Sequence, residues 1–165
     1  MRALAALLAA LALLLAGAAT AQKAPKTRGY AIVGGKWMPV RWAAAFVRTS
    51  PASDGGYGIV LADKPLRCQD LSRLPIENRV GQRWALIALF PTKDGFPATG
   101  SRTRATMDYP VADAYASLSR GVTLDLEEAA PFPGYVWTGR IDQTKRRVDG
   151  KGYAVHATFA ARWCA

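Results

Sequence analysis

The amino-acid sequence predicts an all-β protein, an antiparallel β-sandwich or small closed barrel of about eight short strands. Three observations predict it. Apolar and polar residues alternate with period two in short runs through most of the chain after residue 29. Gly, Pro, Asp and Ser cut those runs at close intervals. Beyond the first 21 residues, no stretch of ten or more carries the 3.6-residue apolar period of an amphipathic helix.

Residues 1–21 read as a cleavable signal peptide. Arg2 gives a positive start, Ala3 to Ala16 form an unbroken Ala/Leu run, and Ala19-Thr20-Ala21 offers the small side chains a leader peptidase holds, with cleavage between Ala21 and Gln22. The run of about 14 residues would reach roughly 21 Å as a helix, short of the roughly 20 residues of a membrane span. No transmembrane span is therefore expected after cleavage. Residues 22–29 read as a flexible polar linker and 30–165 as a single β domain, a size that can bury its own core.

Within that domain, Tyr30 to Val33 is a short strand ended by Gly34-Gly35. Val40, Trp42, Ala44 and Phe46 share one face of a strand over 40–48. Residues 50–56 are a turn-rich loop, Gly58 to Ala62 is apolar, and Lys64-Pro65 ends that strand because proline has no amide hydrogen to give a ladder. Residues 68–74 suit a helical turn. Trp84 to Phe90 is continuously apolar, the pattern of a strand buried on both faces or in a sandwich core. Over 101–109, Thr103, Ala105, Met107 and Tyr109 alternate against Arg102, Arg104, Thr106 and Asp108, and a polar or helical stretch covers 112–120. Val122, Leu124 and Leu126 mark another strand. Tyr135 to Ile141 and Tyr153 to Cys164 make a hairpin joined by the polar tract 142–152, with Tyr153, Val155, Ala157, Phe159, Ala161 and Trp163 on one face. An outer-membrane barrel fits poorly, since few of these strands reach about 9–11 residues and the chain ends Trp-Cys-Ala.

Charge and cysteines narrow the surroundings. The chain carries 22 Lys and Arg against 12 Asp and Glu, and losing Arg2 lowers its net charge from +10 to +9. Such a balance favours anionic partners, an envelope polymer or another exported protein, although an Ala- and Arg-rich composition also makes a chain basic. No nucleic acid is expected. Cys68 and Cys164 survive cleavage, and two cysteines in an exported chain predict one disulfide closing a loop of roughly 100 residues. A single histidine and no CxxC spacing leave no metal site, and no cofactor is implied.

No catalytic constellation stands out. His156, the one histidine, falls on the face of the last strand opposite Tyr153 and Phe159, where it reads as a half-exposed strand residue. There is no G-x-S-x-G elbow and no calcium loop. Asp125, Glu127 and Glu128, with Asp63 and Asp70, could serve a hydrolase only if brought together in a pocket, and strand-end acids are ordinarily solvated. Gly34-Gly35-Lys36 lacks the rest of a phosphate loop and reads as a turn. Lys145, Arg146 and Arg147, placed in the final hairpin loop, are with Arg102 and Arg104 the expected anion-binding set. Of five tryptophans, Trp37 is the least tied to an alternating pattern and is the candidate surface aromatic.

The stretch IVLADKPLRCQDL (Ile59 to Leu71) with the ending YAVHATFAARWC (Tyr153 to Cys164) resembles a loose class of small exported bacterial β proteins. The resemblance covers about a third of the mature chain. It implies a periplasmic or secreted sandwich with these two cysteines paired, and it carries no activity. The function expected is a non-enzymatic exported binding module of unknown ligand. The alternatives are an envelope hydrolase using the acids near Asp125–Glu128, or an inhibitor of an extracellular hydrolase presenting the loop from Pro91 to Gly100.

Overall fold

A computed structural model describes residues 26–48, 56–71, 83–90, 92, 95–100, 103–111 and 114–164. The leader, the predicted cleavage point at Ala21 and Gln22, and Arg102 lie outside the described residues.

The described chain is β1 (Arg28–Val33), β2 (Lys36–Val40), β3 (Trp42–Val47), β4 (Tyr57–Ala62), the single-turn helix α1 (Cys68–Leu71), β5 (Trp84–Leu89), β6 (Ala105–Val111), β7 (Ala114–Leu118), β8 (Val122–Glu128), β9 (Val136–Val148) and β10 (Lys151–Cys164). The prediction of an all-β chain therefore holds in its coarse form, but the described residues form ten strands instead of about eight, in a mixed instead of a purely antiparallel sheet. All these strands hydrogen-bond into one mixed sheet, in the order β2-β1-β10-β3-β4-β5-β6-β7, and β9 and then β8 extend from β10. The sheet curls strongly into a half-barrel.

β10 is the hub. One of its edges pairs with β9 from Lys151 to Arg162. The other takes β1 antiparallel over Ala154–Thr158, then β3 in parallel over Arg162–Cys164. The sequence could not show that parallel pair, because a strand's own alternation does not reveal which neighbour it takes.

Alternation sorts the core as read. Tyr153, Val155, Ala157, Phe159 and Ala161 point into the concave side with Met107, Tyr109, Leu124, Leu126, Trp137 and Ile141. β5 is buried on both faces. Ala85, Ile87 and Leu89 face the main core, whereas Trp84 and Leu86 face a smaller one with Ala44, Phe46, Val60, Leu71 and Cys164. Leu71 of α1 lies in this smaller, convex-side core. The predicted disulfide is present, joining Cys68 of α1 to Cys164 at the end of β10 with 5.3 Å between their Cα atoms.

Several expectations are corrected. β1 begins at Arg28, inside the stretch read as linker. The run at 40–48 is two strands separated at Arg41, so Val40 joins the main core while Ala44 and Phe46 join the smaller one. Residues 114–118 are strand, not helix. The largest correction concerns 142–152. β9 and β10 run on to a two-residue turn at Asp149-Gly150, both with positive φ (50° and 76°). That geometry suits the twist of a hairpin. The polar tract reads as loop because residues 144–147 are all exposed, and a stretch of strand solvated on both faces needs no apolar alternation. Lys145, Arg146 and Arg147 are consequently strand residues.

Candidate functional site

Along one edge of β10 the register leaves a gap. β1 pairs as far as Thr158 and β3 begins at Arg162. The backbone of Ala160 in between has no strand partner on that side, and Thr27 satisfies it. Its hydroxyl accepts from the Ala160 amide at 3.0 Å and donates to the Ala160 carbonyl at 3.2 Å. A hydroxyl can do both at once, so one side chain stands in for a strand.

Where β1 and β3 part, an open cleft of about 500 Å³ forms. Thr27, Ala43, Pro65 and Ala160 line it together with Trp42 and three cations, Lys26, Arg41 and Arg162. Trp42 also packs on the smaller core, which steadies its ring. Arg41 is held at the break between β2 and β3 by its amide bond to the Ala62 carbonyl at 3.0 Å. Arg162 extends from the outer face of β10, two residues before the disulfide. Among the described residues no carboxylate lines the cleft, and none of the three cations is ion-paired with a described acid. Like charges held together without a counter-ion raise the local potential and favour an anion.

The expected anion-binding set is not brought together. Between the pairs Arg146↔Tyr153 and Gln143↔Val155, β9 has two residues where β10 has one. This bulge reverses the alternation of β9. Arg146 now pairs with inward-facing Tyr153, while Lys145 lies over Gly152 beside Ile32 on the outer face. Arg104 accepts the Phe90 amide at the start of β6, near the end of β8 where Gly100 bridges Leu126. Arg146 lies by Gly121, at the other end of β8. Lys145, Arg146, Arg147 and Arg104 thus make no single site.

The candidate acids Asp125, Glu127 and Glu128 are exposed on β8. Asp125 pairs in register with Arg140. In the next row, His156 Nδ1 lies 2.6 Å from Asp142 Oδ1, Asp142 Oδ2 takes Arg140 Nε at 3.1 Å, and the His156 ring sits 5.1 Å from that of Tyr30. These groups share an open sheet face, not a pocket. Asp63 is bound by Arg83 at 2.9 Å, and Asp70 by Arg67 at 2.9 Å. Of the loop from Pro91 to Gly100, the described part is tied down by Tyr57 Oη donating to the Gly95 carbonyl at 3.0 Å. Pro91, Lys93 and Asp94 lie outside the described residues.

Two buried polar groups were not legible in the sequence. Asp108 is buried on β6, and that desolvation raises its carboxyl pKa despite opposition from hydrogen bonding with Ser117, Arg48 Nη2 at 3.8 Å and hydrogen bonding with Thr106. Tyr109 donates to Gln143 Oε1 in the main core, where burial pushes the phenol pKa up. Gln143 Nε2 has no partner among the described residues. Of the cleft residues, Lys26 falls in a presumed linker and Arg162 looks like any outward strand residue. Only Arg41, which interrupts an apolar run, carries a signal. Among the described residues no group of three or more His, Cys, Asp or Glu could hold a metal ion, and no helix is long and apolar enough to cross a membrane. Comparison with protein-family models, with curated proteins and with solved structures finds no match to this chain.

Proposed function

We propose that this chain is an exported, non-enzymatic module that binds an anionic ligand in the cleft between β1, β3 and β10. One observation carries the reading: Lys26, Arg41 and Arg162 converge beside Trp42, and among the described residues no carboxylate lines the cleft with them. Export rests on the leader pattern of residues 1–21 and on the disulfide, a bond that persists in oxidising compartments. Binding is favoured over hydrolysis because Asp125, Glu127 and Glu128 are exposed on a sheet face, where nothing dries or raises a carboxyl group for acid catalysis. We also take the half-barrel as a small barrel closed between β6 and β8. Support comes from the bond of the Gly100 amide to the Leu126 carbonyl at 2.7 Å and from the shared core of Met107, Tyr109, Leu124 and Leu126.

The test is calorimetric titration of the oxidised mature protein with short anions, inorganic pyrophosphate and a sulfated disaccharide, at low ionic strength. The double variant Arg41→Gln/Arg162→Gln should bind at least about tenfold more weakly, a loss of about 1.4 kcal/mol, with an unchanged thermal midpoint. Equal affinity in the wild type and the folded double variant would remove the cleft from consideration.

A further inference from the structure

We infer, building on the cleft reading, that the ligand is a linear acidic polysaccharide lying along the outer face of β10, from the cleft to Tyr30 and Trp37. The register makes these residues one track. Arg162 and Ala160 line the cleft, and Thr158 follows, paired with Arg28 on one side and Arg140 on the other. His156 comes next, with Tyr30 and then Pro39 beside it. Ala154 completes the track, flanked by Ile32 and Trp37. From Arg162 to Ala154 the strand advances eight residues, about 26 Å at the usual rise. A single small anion would engage the cleft alone and leave that length unused.

The chemistry along the track suits a sugar chain that carries negative groups. Cations stand at both ends, with Lys26, Arg41 and Arg162 in the cleft and Lys145 over Gly152 beside Ile32. Arg28 is exposed midway. The carboxylates in these rows are Asp142, which bonds Arg140 at 3.1 Å, Asp125, which pairs with Arg140 in register, and Glu128, which pairs with Thr138 in the row of Ala160 and so stands two strands away from the track. Trp37 is 60% exposed although it lies within a strand, and the Tyr30 ring is held against His156. Trp37 and Tyr30 stand on the same face of adjacent strands, and the CH faces of sugar rings pack on such rings. Single-stranded nucleic acid also stacks on aromatic rings. A disulfide, however, persists in compartments outside the reducing cytosol, away from the cell's nucleic acid, which favours the sugar chain.

The experiment titrates the oxidised mature protein with heparin-derived oligosaccharides graded by length, and with inorganic polyphosphate and single-stranded DNA of matched length. Affinity for the oligosaccharides should rise at least about tenfold as the chain lengthens to about 26 Å, then level off. Trp37→Ala and Tyr30→Ala should each abolish most of that gain while leaving the shortest oligosaccharide bound as before. Arg41→Gln/Arg162→Gln should weaken every length. Affinity independent of length, or a length gain untouched by Trp37→Ala, overturns the track and leaves the cleft reading standing. Polyphosphate or single-stranded DNA bound more tightly than the matched oligosaccharide overturns the sugar assignment. Failure of the wild type to bind any oligosaccharide while still binding pyrophosphate does the same, whereas failure with both kinds of probe removes the cleft reading as well.

Discussion

Asp108 shows how far a single residue can depart from what its neighbours in the sequence suggest. It falls at an alternate position of β6, where an exposed polar residue is the ordinary expectation, yet it is buried between Leu86 of β5 and Ser117 of β7. Its pKa is raised because desolvation outweighs Arg48 and the two hydroxyl partners. A carboxyl whose folded pKa lies above its unfolded value stabilises the fold fully below the unfolded pKa, and that contribution is lost as pH rises through the folded value. Asp108→Asn removes the dependence. The variant should therefore gain stability relative to wild type as pH rises from about 4 toward neutrality, measured by denaturant unfolding at several pH values. A difference that stays constant or shrinks over that range would contradict the burial argument. Gly29 is a second residue-level requirement. Its φ of 144° and its approach to the carbonyl of His156 leave no room for a Cβ, so the entry of β1 beside β10 depends on glycine there.

Among the elements, β10 and α1 depend on one covalent link. β3 meets β10 over only three register pairs, the last of them Cys164 with Phe46. The disulfide to Cys68 fixes that short parallel contact, and α1 packs beside it on the smaller core. The bond closes a separation of 96 residues, for which chain-entropy reasoning gives on the order of 4–5 kcal/mol before strain. Cys164→Ser should accordingly lower the unfolding free energy by about 2–5 kcal/mol in oxidised samples and raise protease sensitivity first around Cys68 and the end of β10. Equal denaturation midpoints for variant and wild type would show that the sheet holds this edge without the bond. The same edge forms the wall of the cleft, so the variant should also weaken binding of pyrophosphate.

At the scale of the whole molecule, one curled sheet offers a concave side packed with aromatic and aliphatic residues and a long outer face on β2, β1, β10, β9 and β8. Charge is distributed accordingly: the cations of the cleft and the outer face surround β10, the strand that ties the sheet together. The export proposal makes a prediction at this scale. Protein recovered from its native envelope fraction without reductant should have a mass that begins at Gln22 and is two hydrogens lighter than the reduced chain. A mass retaining residues 1–21 would refute cleavage, and a fully reduced mass would refute an oxidising compartment.

The sequence alone determined the β character, the inward face of β10, the burial of β5 and the pairing of Cys68 with Cys164. Each of these follows from local alternation, or from there being only two cysteines to pair. Only the tertiary structure decided that Lys145 and Arg147 part company with Arg146, because the tract is strand, in which successive side chains take opposite faces, and one extra residue in β9 sets which face each takes. It alone decided that Lys26, Arg41 and Arg162 meet, because their positions span the whole domain and they are joined only by which strands lie beside β10. Period-two patterning reports whether a residue faces in or out, and strand order sets which outward residues become neighbours.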